Sequence, residues 1–193
     1  LPRAPGSTAL QAYEAVLQRS SAIDGPMKLG AIQITRFDLK APLIPTSWLP
    51  DQLANAKVRI GSVECPADSL GVFRCPGQPW VRVAREVREI NYLPRPCLYA
   101  HPNADPNAPL TIEFPAVRLG RTLRGHTGII GEAMLMGSSP VSMKMTIGEQ
   151  LLGTVEEPPR SPGWHLFQLD TTPFAGTTRP IAFEITAANA DQR

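Results

Sequence analysis

No run of about 18 consecutive apolar residues occurs in the 193-residue chain, so no segment reads as a membrane-spanning helix. Aromatics are scarce at 6%, and no block of lysine or arginine stands out against a formal net charge of +2. Nucleic-acid binding needs a basic stripe, and single strands also need a stacking platform, so no nucleic-acid partner is expected. His101, His126 and His165 are the only histidines, and their contexts hold neither HxH nor HExxH spacing. No GxSxG is present, and "GSS" at 137–139 lacks a strand–elbow–helix setting. Glu113, Glu132, Asp170 and Glu184 are scattered, so the expectation is not an enzyme. The rival from another class is a glycan-acting hydrolase in which the fold brings two of these carboxylates together.

Turn chemistry is plentiful. Glycine (15) and proline (21) together make close to a fifth of the chain, against about 12% in an average protein. They are spread along the sequence, which predicts many turns between short strands rather than a linker. A hydrophobic content of 42% with 19% charged residues allows a buried core and argues against disorder throughout.

Residues 1–6, "LPRAPG", read as a tail. Ser7 or Thr8 then caps a predicted helix through about residue 21, with Leu10, Tyr13 and Leu17 on one face. After Gly25-Pro26 the period becomes two. The predicted strands are "AIQITRF", "AKVRIGSV", "PWVRVAREVREI", "LTIEFPAV", "VSMKMTI", "QLLGTV", "WHLFQLD" and "PIAFEITA", with "GIIGEAMLM" as a short apolar run. In the third, Val81, Val83 and Val87 oppose Arg82, Glu86 and Arg88. Pro115 limits "LTIEFPAV" to an edge or a bulge. "YLPRPCLYAHPNADPNAP" reads as a long turn-rich connection and "GRTLRGHTG" as a turn between strands. The expected fold class is all-β: an antiparallel β-sandwich, or jelly roll, with one N-terminal helix. Residues 1–25 would form the tail and helix, and 26–193 a single sandwich domain.

Cys65 and Cys75 bracket "ECPADSLGVFRC", a turn-rich loop with no CxxC or Cys/His cluster, and are expected to form a disulfide. That bond places the chain in an oxidising compartment and leaves Cys97 over.

The last third of the chain carries a resemblance. "FPAVRLGRTLRGHTGII", "SSPVSMKMTIGEQLLGTV" and "GWHLFQLDTTPFAGTTRPIAFEITA" place Gly163, Trp164, Phe167, Asp170 and Thr171 before a small-residue corner at Ala175-Gly176. An alternating strand with Ile181, Phe183 and Ile185 follows. This pattern resembles galactose-binding-like and carbohydrate-binding jelly-roll modules. It is also similar to extracytoplasmic β-sandwich domains attached to some bacterial membrane proteins. The likeness implies a shape, and through it a binding role.

Read from the residues alone, Trp164 after a Pro-Gly turn is expected to be half buried with its N–H toward a partner. Asp170 before Thr171-Thr172 is expected to close its strand in an Asx-turn. Candidate ligand-binding residues are Trp164, Arg121, Arg124, His126 and Trp80, with Trp48 as a further aromatic for sugar stacking. Asn103, Asp105 and Asn107 in "HPNADPNAP" offer alternating oxygens that suit a structural calcium, or only a turn; no other cofactor is expected. His165 is expected to face outward from its strand, and the Met134, Met136, Met143, Met145 series to pack in the core. The expected function is a non-catalytic, extracytoplasmic β-sandwich subunit for protein–protein assembly in a membrane-associated complex, with a carbohydrate-binding module as the alternative. Any tether would lie in a segment outside this sequence.

Overall fold

In the computed structural model, period-two alternation becomes sheet wherever the chain shows it cleanly. The structure describes residues 20–39, 45–103, 105, 107–131, 133 and 139–187. Backbone contacts divide the chain into two units, Leu1–Ile44 and Pro45–Arg193.

The first unit contains an antiparallel pair, β1 (Ser20–Leu29) and β2 (Ile32–Leu39), joined through Gly30 at φ 61°. The expected tail at 1–6 and the expected helix up to residue 19 lie outside the described residues, but Ser20 and Ser21, where the helix was to end, are strand. Strand β1 runs through Gly25-Pro26 because two register shifts, Ala22/Asp24 and Asp24/Met27, absorb these residues. A bulge is the one place in a strand that tolerates a residue without an N–H.

The second unit is an antiparallel β-sandwich. One layer has six strands in the order β11-β10-β13-β8-β3-β4. These are β3 (Lys57–Ile60), β4 (Val63–Glu64), β8 (Leu110–Arg118), β10 (Val141–Ile147), β11 (Gln150–Glu157) and β13 (Thr178–Ala187). Facing it are β9 (Thr122–Thr127) paired with β12 (His165–Asp170), and β5 (Phe73–Cys75), β6 (Gln78–Ile90) and β7 (Leu93–Ala100) in sequence order. The core between the layers interleaves Val58, Ile112, Phe114, Met145, Ile147 and Ile181 with Phe73, Val81 and Val83, backed by Leu123, Phe167 and Leu169. Phe114 and Phe183 meet edge to face at 6.1 Å.

Three pairings nest: β8 with β13, β9 with β12, and β10 with β11. A ribbon paired this way and wrapped over itself is the connectivity of a jelly roll, and the further pairing of β10 with β13 closes the wrap. Pro115 sits at a bulge, as expected: the register of β8 on β13 shifts between Arg179 and Ile181, and β3 covers β8 only at Leu110–Glu113.

Two expected connections are strands. "LPRPCLYA" is β7, paired with β6 from Ile90↔Leu93 to Val83↔Ala100. It is an edge strand, so Pro94 and Pro96 are tolerated there. "TLRGHT" is β9, whose Gly125 lies directly beneath the Phe167 ring. Met145 is fully buried and Met143 packs against the core as expected, whereas Met134 and Met136 lie outside the described residues. Val87, expected on the face of Val81 and Val83, is exposed, because the buried face of β6 switches after Val83: Ala84 and Ile90 are buried instead, and Val87 points outward between them.

Candidate functional site

The disulfide joins Cys65 to Cys75 with Cα atoms 4.2 Å apart, both residues buried. Inside its loop Asp68 Oδ1 accepts the amides of Leu70 (2.9 Å) and Val72 (3.1 Å), and Oδ2 accepts Arg74 Nε (3.3 Å). The amides of Val72 and Leu70 hold the Asp68 carboxyl below its ordinary range. The loop is thus a closed, internally bonded element. Cys97 is the free thiol, partly buried on β7, and burial pushes its pKa up.

The chain end behaves as its residues suggest. Trp164 is half buried and its indole N–H donates to the carbonyl of Leu93 at 2.8 Å. This bond pins the tip of the β6–β7 hairpin to the start of β12. Asp170 Oδ1 accepts the amide of Thr172 at 2.8 Å, closing β12 in an Asx-turn, and the Thr172 contacts lower the Asp170 pKa. Gly176 turns the corner at φ 81°.

His165 does not face outward. It shares the inner face of β12 with Phe167 and Leu169, where Nδ1 lies 2.5 Å from Glu157 Oε1 of β11. Thr127 of β9 donates to Glu157 Oε2 at 2.7 Å, and Ser161 Oγ lies 3.1 Å from His165 Nε2. With the carboxylate accepting, Nδ1 carries the hydrogen of this contact, and Ser161 Oγ stands against the other ring nitrogen. This Ser–His–Glu order is the connectivity of a catalytic triad. Its setting is that of a clamp: Glu157, 5% exposed, bonds side chains from β9 and β12 and so joins the two layers at one end of the core. A buried carboxylate satisfied on both oxygens is what low-dielectric surroundings demand. Glu157 was not singled out from sequence. Its partners lie on two other strands, β9 and β12, and meet it only through the wrap.

The five candidate ligand residues do not all converge. Arg124 and His126 lie on the outer face of β9, opposite Gln168 and Leu166. Arg95 of β7 reaches across, its Nη1 3.2 Å from His126 Nδ1 and 3.4 Å from Nε2. Near-equal distances to both nitrogens place the guanidinium along the ring rather than in line with one lone pair. Burial, then the charges of Arg95 and Arg124, lower the His126 pKa. Trp164 adjoins this face through its bond to Leu93. Arg121 precedes β9 at its other end, about 16 Å along the strand from His126, and its carbonyl accepts the Thr171 amide at 2.9 Å. Trp80 is exposed at the start of β6, ten positions from Ile90 at the hairpin tip. Trp48 is exposed before the 3-10 turn Leu49–Asn55.

Farther along the hairpin, Arg82 and Arg88 stack on the Tyr99 ring at 4.8 and 4.6 Å. Glu86 bonds both guanidiniums at 2.8 and 2.5 Å. At the loop read as a calcium site or a turn, Asn103 is buried and its Nδ2 donates to the carbonyl of Ala108 at 2.8 Å. Asp105 Oδ1 accepts the Asn107 amide at 2.9 Å. These side chains serve the loop's own backbone, and among the described residues no group of three or more His, Cys, Asp or Glu assembles that could hold a metal.

The hairpin tip is another feature that sequence reading missed. Asn91 (φ 52°) and Tyr92 (φ 62°) both adopt the left-handed conformation of a two-residue hairpin turn. Asn91 suits it; Tyr92 does not, and is 88% exposed. The Asn between two alternating runs was the available signal.

No family model matches this chain, and comparison with curated proteins and with solved structures returns no match either.

Proposed function

We propose that this chain is an extracytoplasmic, non-catalytic β-sandwich domain that docks a protein partner in a membrane-associated complex through the β6–β7 hairpin. The observation that carries the reading is Tyr92. A bulky side chain held at φ 62° costs free energy that glycine would not. Left-handed non-glycine residues persist where the surrounding structure enforces them, and such positions gather at binding sites. Here the result is a tyrosine displayed on a pinned tip, beside exposed Leu93 and Val87, the latter 68% exposed. Tyrosine is among the residues that anchor protein interfaces. Arg85 and Arg88 on the same hairpin are paired within the chain to Asp51 and Glu86, so the partner that fits the tip is chiefly an apolar pocket that receives the tyrosine. The disulfide supports the compartment, since such bonds persist where the environment oxidises thiols.

Tyr92→Gly tests this reading. Relief of strain and the entropy of glycine offset one another to within about 1 kcal/mol, so the melting temperature stays close to that of the parent. The full-length protein purified from its native source should then sediment without the partner that the parent retains. A Tyr92→Gly protein that keeps its complex overturns the proposal, as does a parent protein that sediments alone.

A second reading, a carbohydrate-binding module, is favoured by one arrangement: Arg124, His126 and Trp164, three of the candidate ligand residues, share one region of the surface with Arg95.

A further inference from the structure

The outer face of β9 and β12 holds basic side chains with no ion-pair partner among the described residues. Among the described residues, neither Arg95 nor Arg124 takes part in an ion pair. Arg95 is nevertheless brought against His126 from a different sheet, and Arg124 stands two positions along β9 on the same face. Strand geometry separates such positions by about 7 Å. Like charges gathered without a counter-charge repel one another, and an anion bound between them removes that repulsion. The gathering is enforced: Trp164 ties the hairpin carrying Arg95 to β12 by its bond to Leu93, so Arg95 is held where it is. Two guanidiniums offer forked donors that match a carboxylate or sulfate. Leu166, 46% exposed and directly opposite His126, supplies an apolar contact beside them.

We propose that Arg95, Arg124 and His126, with Leu166, form a binding site for an acidic sugar, its carboxylate or sulfate lying between the two guanidiniums and the CH face of its ring against Leu166. The proposal rests on the carbohydrate reading and gives it a ligand class. The neutral imidazole contributes a donor and becomes easier to protonate once the anion is bound, which supplies a direct readout. Arg121 and Trp80, held at the far ends of their strands, take no part.

The experiment follows the His126 ring by NMR titration of the whole chain, with trigalacturonate as the acidic probe, galactotriose as the neutral one and inorganic sulfate as the free ion. Trigalacturonate should bind, raise the pH at which His126 titrates, and bind at least tenfold more weakly to Arg95→Gln/Arg124→Gln. Galactotriose and sulfate at equal concentration should leave His126 unmoved. The fold of the double variant is checked by its disulfide and its melting temperature. Equal effects of sulfate assign the site to a bare ion and overturn the proposal. Equal effects of galactotriose overturn the acidic-sugar inference while sparing the carbohydrate reading, and no effect of either sugar overturns both. Tyr92→Gly should bind trigalacturonate as the parent does, which separates this site from the docking tip.

Discussion

Single side chains carry two consequences that solution measurements can check. Burial and two neighbouring guanidiniums favour the neutral form of His126 in the folded chain. Below about 6.5, the ordinary imidazole value, the unfolded chain therefore takes up a proton that the folded chain resists. The contribution of His126 to stability is intact above that pH and is lost as pH falls through it toward the lower folded value. Thermal melts between about pH 8 and pH 5 should show this decline, and His126→Gln should flatten it. Glu157 makes the second case. Replacing it with alanine strips Thr127 and His165 of their shared acceptor inside the sandwich, at a cost of about 1–3 kcal/mol that a urea midpoint will register. The clamp reading also predicts that a fluorophosphonate probe leaves Ser161 unlabelled. Labelling at Ser161 would turn the clamp into an active site.

At the scale of elements, legibility followed the cleanness of alternation. "VSMKMTI" forms β10 from Val141 to Ile147, and the hairpin turn falls at Gly148. Strands β7 and β9 were hidden, the first by two prolines and the second by glycine and arginine that read as turn residues. Both are real because their partners accept the irregularity: β7 is an edge, and Phe167 fills the space that a side chain at Gly125 would need. A Cβ on Gly125 would stand 2.6 Å from the Phe167 ring. Gly125→Ala should therefore destabilise by about 1–3 kcal/mol, measured by denaturant unfolding, and Phe167→Leu in the same chain should recover part of the loss.

Across the whole molecule, the nested pairings bring distant segments into register, and the disulfide closes a short loop beside the core. With its cysteines at a sequence separation of 10, reduction should cost about 2–3 kcal/mol by loop entropy, seen as a lower melting temperature in reductant. Cys65→Ser/Cys75→Ser should match the reduced parent.

Composition, turn residues and period-two alternation determined by themselves that this is a sheet protein, where most strands run, which two thiols join and how the chain closes at Trp164 and Asp170. These are local matters, decided by neighbours a few positions apart. Only the tertiary structure decided that Arg95 lies against His126, that Glu157 bridges β9 and β12, and that Arg121 and Trp80 stand away from both. Those outcomes depend on register and strand order between separate strands, two of the contacts spanning thirty residues or more, where one step of slippage sends every side chain to the opposite face.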